Sequence, residues 1–108
     1  MTDTGSLSER QRDEAHPVTV VARLRPDPAH VDAAVAAVLA AVDGIRAEEG
    51  CEQYDPHLAD DGTILIVERW TSREALAAHS TGAAVQVLRD GVAGLMTAPP
   101  EVTVAVAV

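Results

Sequence analysis

The sequence predicts an α+β fold in the order βαββαβ, and three observations carry that prediction. A helical repeat of Val31, Val35, Val38, Val42 and Ile45 stands between two β-type runs. Asp61-Gly62 joins two further extended segments, a hairpin signal because this pair tolerates positive φ. A helical stretch halted by Pro99-Pro100 gives way to Val102, Val104, Val106 and Val108 at alternate positions.

Taken in order, residues 1–16 are almost wholly polar and bury too little to offset their ordering entropy, so they are expected to form a flexible arm. The folded domain is expected over 17–108. Val18 to Arg25 reads as the first strand, ended by Pro26-Asp27-Pro28. Asp27 before Pro28 has the pattern of an N-cap with proline at the first helical position. The valine repeat then runs to Gly50, which suits the left-handed residue after a helix. Strands are expected at about 51–58 and 63–71 around Ala59-Asp60-Asp61-Gly62. Ser72 offers a cap for a second helical region over 75–96, with breaks near Ser80-Thr81-Gly82 and again at Gly91 and Gly94. Residues 101–108 complete the set as a last strand.

This order is the split βαβ arrangement of a ferredoxin-like fold, with two helical layers on one face of a four-stranded antiparallel sheet. Ile64 and Ile66 oppose Leu65 and Val67, and the last strand is apolar at nearly every position. A sheet with one wet face should alternate between apolar and polar residues. No element remains to cover the second face, so a two-fold homodimer with sheets packed face to face is expected.

Composition narrows the function. Seventeen acidic residues stand against eight cations, all of them arginine, giving a net charge of −9. That balance argues against nucleic acid, as does the presence of only Tyr54 and Trp70 as aromatic residues. A single cysteine, Cys51, excludes an internal disulfide and any multi-thiolate metal site. The start lacks the basic and apolar regions of a signal peptide, and no apolar run is expected to approach the roughly 20 residues of a membrane span. A cytoplasmic location is therefore expected, with no membrane partner.

Two segments resemble a known family. Glu48-Glu49-Gly50-Cys51-Glu52-Gln53-Tyr54 is similar to the E-x-G-C-x-x-Y signature of the antibiotic biosynthesis monooxygenase family, which includes quinol monooxygenases. Ile66-Val67-Glu68-Arg69-Trp70-Thr71-Ser72, with Leu76-Ala77-Ala78-His79, resembles that family's E-x-W strand and the histidine-bearing helix after it. The resemblance covers about residues 17–106 and implies a dimeric α+β barrel. The chain departs from the family's heme-degrading branch, with Ala22 in place of a first-strand asparagine and no matching axial histidine. It also carries Gly82-Ala83-Ala84-Val85 where many relatives place a second polar side chain.

The resemblance implies a monooxygenase that uses O2 on an aromatic small molecule, a hydroquinone or polycyclic phenol. Such a substrate is electron-rich enough to react without a flavin, heme or metal, so no cofactor is expected. The protein would supply a dry pocket, a proton acceptor and hydrogen-bond donors. His79 and Glu68 are the catalytic candidates. An imidazole suits deprotonation of a phenol, and a carboxyl in an apolar strand suits a base or relay. For Glu68 the competing role is a structural ion pair with Arg23 or Arg69; for His79 it is a solvent-exposed helix position. Trp70, Tyr54 and Arg23 are the substrate-binding candidates: stacking or indole N–H donation, hydroxyl donation, and neutralisation of a phenolate. Trp70 and Tyr54 serve equally well as core fillers in a chain without phenylalanine. Arg89 is expected to stay solvated, and His57 with His79 lacks a third metal ligand. Two other functions remain open: a non-catalytic binder that kept the barrel, favoured by Ala83 and Ala84, and an isomerase or cyclase using the same cavity.

Overall fold

The computed structural model describes residues 16–108, so the expected arm lies, His16 apart, outside the described residues. The elements are β1 (Val18–Leu24), a 3-10 turn (Pro28–His30), α1 (Val31–Arg46), β2 (Cys51–Leu58), β3 (Ile64–Trp70), α2 (Arg73–Ser80), α3 (Ala83–Val92) and β4 (Glu101–Ala105). The four strands form one antiparallel sheet in the order β2-β3-β1-β4, with three helices on one face. This is the ferredoxin-like α+β fold.

Burial alternates along the two central strands, because successive side chains point to opposite faces. Val18, Val20, Ala22 and Leu24 of β1 are buried, as are Ile64, Ile66, Glu68 and Trp70 of β3. The helices meet that face with Ala34, Val38, Ala41, Val42, Ile45 and Leu88. α1 packs against both β2 and α3. At the α1–α3 contact, a Cβ on Gly91 would stand 3.0 Å from the Ala37 Cβ. The glycine expected to interrupt the second helical region therefore sits inside α3 and brings two helices close. The helical region breaks at Thr81-Gly82, between α2 and α3, and ends at Val92, ahead of Gly94 with φ +77, rather than at Met96.

Local chemistry sets the boundaries. The Asp27 carboxylate accepts from the Ala29 N–H at 2.8 Å, and the first turn it caps is 3-10 rather than α. Ser72 caps α2 by accepting from the Ala75 N–H at 3.1 Å. Gly50 has φ +84, and a Cβ there would lie 2.5 Å from the Ala75 Cβ. Its carbonyl accepts from the Thr71 N–H at 2.8 Å, tying the start of β2 to the end of β3. A bulge between Cys51 and Gln53 then sets the register that places Tyr54 opposite Glu68.

The last strand ends at Ala105 rather than Val108. Val102 and Val104 pair with Ala22 and Val20 and so belong to the helix side of the sheet, yet remain 59% and 39% exposed, because the helices lie over the other strands. The membrane expectation also needs correction. Residues 28–46 are long and apolar enough by composition to cross a bilayer, at 19 residues and a mean hydropathy of 1.4. In the fold this segment lays one stripe, Ala34 to Ile45, on the sheet and core.

Candidate active site

Between the sheet and the helices lies a cavity of about 240 Å³. Val20, Ala22, Leu24 and Ile66 form its floor, and Leu76, Val85, Leu88 and Val92 its helical walls. Met96, Pro100 and Val102 close one end. That end is held by hydrogen bonds from the segment after α3 back to the end of β1: Asp27 N–H to the Leu95 carbonyl and Thr97 N–H to the Arg25 carbonyl, each 2.8 Å. Polar groups gather at the other end. Tyr54, Glu68 and His79 line it together, while Ser80 and the exposed Arg89 sit on its rim.

The register explains the gathering. Tyr54 stands opposite Glu68 on neighbouring strands, and Glu68 opposite Val20, all on the helix-covered face. α2 lowers His79 onto them, leaving the histidine 7% exposed. Its ring lies 4.4 Å from the Trp70 ring at a 30° tilt, and meets Tyr54 edge-on at 6.0 Å. His79 Nδ1 lies 2.7 Å from Glu48 Oε1, within hydrogen-bond distance. Nε2 has no protein partner among the described residues, and neither has the Tyr54 hydroxyl; both residues line the cavity, and neither atom is fully enclosed.

Glu68 accepts a hydrogen bond from the Trp70 indole N–H at 2.9 Å. Burial pushes its carboxyl above the usual carboxylate range, partly offset by that bond and by the nearby imidazole. Burial also raises the Tyr54 phenol, with Glu68 adding to the effect, so Tyr54 is a hydroxyl donor rather than a phenolate. The Cys51 thiol is raised by burial and by Glu48 and Glu68, the opposite of what a reactive thiolate needs. Among the described residues no three histidine, cysteine or carboxylate side chains are grouped as metal ligands.

Three of the five candidate residues, His79, Glu68 and Tyr54, therefore share one cavity. Two do not reach it. Trp70 is fully buried beneath His79 with its N–H held by Glu68, so it neither stacks on a ligand nor donates to one. Arg23 alternates with Ala22 and Leu24 and lies on the opposite sheet face, between Leu65 and Glu101. The expected Arg23 or Arg69 partner for Glu68 is replaced by Trp70; Arg69 instead approaches Glu52 at 3.4 Å. Ala83 and Ala84 do not line the cavity. Glu48 is the residue that the sequence reading did not assign, whereas Arg89, expected to stay solvated, is exposed at the rim. Glu48 stands in the signature segment itself, a signal that was available.

Fold and site together define a ferredoxin-like α+β domain with an apolar cavity ending in an acid–base cluster. Residues 17–90 match the antibiotic biosynthesis monooxygenase family, and the chain belongs to it. A relative named "Putative monooxygenase Rv0793", from Mycobacterium tuberculosis, is 39% identical over 89 residues, which is 82% of this chain and 88% of its own length. Its solved structure superposes with a TM-score of 0.78 at 36% identity, covering 85% of this chain and 95% of that one. The PA3566 structure from Pseudomonas aeruginosa gives a TM-score of 0.78 at 26% identity, covering 88% and 97%. A structure named "putative antibiotic biosynthesis monooxygenase", from Caulobacter crescentus, shares the fold, with a TM-score of 0.81 at 20% identity over 94% and 98%.

Proposed function

We propose that the protein is a homodimeric, cytoplasmic, cofactor-independent monooxygenase that oxidises a hydroquinone or polycyclic phenol with O2. The observation that carries this reading is the cavity's polarity. Tyr54, Glu68 and His79 occupy one end, with Ser80 and Arg89 at its rim, and apolar side chains form the rest. That division suits a fused aromatic ring whose hydroxyl meets the polar end.

The chemistry follows from those groups. His79 Nε2 takes the phenolic proton, and the Tyr54 hydroxyl donates to the phenolate oxygen. The electron-rich ring passes one electron to O2, and the radical pair recombines as a C–O bond to give a ring hydroperoxide. A base removes the proton on that carbon as the O–O bond breaks. One oxygen stays as a carbonyl and the other leaves as water, which balances one hydroquinone and one O2 against one hydroxyquinone and one water. Glu68, with its raised carboxyl, returns the proton that the departing oxygen needs.

Oxygen uptake by the metal-stripped protein, measured with hydroquinones and anthrones, tests the reading. Uptake above autoxidation is expected, and its absence with every compound bound by calorimetry would favour a non-catalytic binder. His79→Ala should lower turnover by about 10²–10⁴-fold, a far larger effect than the stability lost with its stacking on Trp70 and its contact with Glu48. Equal turnover by that variant and the wild type would remove the assignment of His79.

A further inference from the structure

Glu48 does not line the cavity, yet its Oε1 lies 2.7 Å from Nδ1 of the cavity-lining His79, the shortest polar contact that any side chain of the cavity makes. We propose that Glu48 is a positioning residue that locks His79 as the Nδ1–H tautomer and so leaves Nε2 as the imidazole's proton acceptor toward the cavity. The proposal rests on the reading of His79 as the site's base.

The reasoning is stereochemical. A neutral imidazole carries one proton on two nitrogens, and the hydrogen bond made by one nitrogen decides the role of the other. A carboxylate accepts and does not donate, so it selects the proton-bearing Nδ1. Trp70 stacks on the ring and holds its plane, while Glu48 selects which ring edge faces inward. Once Nε2 gains a proton, the same carboxylate faces an imidazolium through a charge-assisted bond.

The seat of Glu48 is also built. Its Oε2 occupies the space where a Cβ on Gly82 would fall, 2.7 Å from that position. Gly82 is the N-cap of α3, at the break between α2 and α3, with φ −80, which any residue adopts. A Cβ there would displace the flexible Glu48 carboxylate and crowd the Ala78 and His79 carbonyls at 3.3 and 3.4 Å, with no backbone strain. The glycine is thus the counterpart of the glutamate. The other charged or titratable groups around His79 are Tyr54 on β2, Glu68 on β3 and Arg89 on the rim from α3, with Cys51 beside Glu48 and Glu68. None of them bonds Nδ1.

The test is a long-range proton–nitrogen NMR spectrum of the whole, ligand-free protein at a pH where His79 is neutral. In the wild type, Nδ1 is expected to carry the proton and Nε2 to show the shift of an unprotonated nitrogen. Glu48→Ala should move the ring toward the Nε2–H form. Gly82→Ala, which keeps the glutamate but displaces its carboxylate, should do the same and serves if Glu48→Ala fails to fold. Glu49→Ala, an exposed neighbour of equal charge, should leave the spectrum unchanged. Turnover on any accepted quinol should fall about 10–100-fold in the first two variants with KM little altered. An Nε2–H ring in the wild type, or an Nδ1–H ring that persists in both variants, overturns the proposal. The tautomer is read without substrate. A locked Nδ1–H ring in a protein that consumes no oxygen would therefore overturn the monooxygenase reading and leave the role of Glu48 standing.

Discussion

At the scale of single residues, Glu68 shows how one position serves packing and chemistry at once. It is 4% exposed and its sole hydrogen-bond donor among the described residues is the Trp70 indole. Burial raises its carboxyl above the ordinary 4.5, so between that value and the higher folded one the native state holds a proton that the unfolded chain has released. Its contribution to stability is present in full below pH 4.5 and declines as pH rises through the folded value. Glu68→Gln removes this decline. Urea midpoints measured from pH 4 to pH 8 should fall less steeply for the variant than for the wild type, and parallel curves would refute the assignment. Side-chain direction was legible in the sequence at this scale, and depth was not. Strand parity puts Glu68 and Trp70 on one face, but only the packed helix shows that His79 roofs the indole and excludes it from the cavity. The same parity, applied to Val20, Ala22 and Leu24, already sets Arg23 on the far face.

At the scale of elements, the segment from Glu48 to Tyr54 organises the site. It leaves α1 through the left-handed Gly50, bulges between Cys51 and Gln53, and delivers Glu48 to His79 and Tyr54 to Glu68 within one short stretch of chain. Gly50→Ala must adopt positive φ and also place a methyl 2.5 Å from the Ala75 Cβ, at the first turn of α2. Left-handed strain and overpacking together should cost about 2–4 kcal/mol, readable as a lowered denaturant midpoint, and the displaced α2 should carry His79 with it. An unchanged midpoint would show that α2 yields freely there. Turn chemistry and helical spacing make Gly50, Ser72 and the Asp-Gly hairpin plain in the sequence. The split between α2 and α3 fell within the expected breaks, but Gly91 did not break the helix. A glycine's effect there depends on a neighbour, Ala37, that spacing along the chain does not reveal.

At the scale of the whole molecule, the sheet has an inner face closed by helices and an outer face that no described element covers. Val21, Leu65 and Val67 stand half-exposed at the centre of that outer face, with Thr19, Arg23, Arg69 and Asp55 around them. An apolar centre with a polar border fits the isologous contact proposed above. Sedimentation should report twice the 11.3 kDa chain mass, and Leu65→Asp should return it to the single value with the fold intact. Each copy carries −9, so added salt should tighten the association by screening repulsion. A single-chain mass for the wild type at every concentration would remove the dimer from the proposal. Order of elements, sheet and helix coverage were legible from pattern alone, because each rests on local periodicity. Glu48 was not assigned, since its place depends on how separate elements approach one another.

The stacking of Trp70 on His79 has one more consequence. The chain holds a single indole, sealed from water and 4.4 Å from an imidazole. A protonated imidazole in van der Waals contact quenches indole emission by accepting an electron from its excited state. The protein therefore carries its own optical indicator: its fluorescence should dim as His79 gains a proton and brighten as it loses one, with no dye attached.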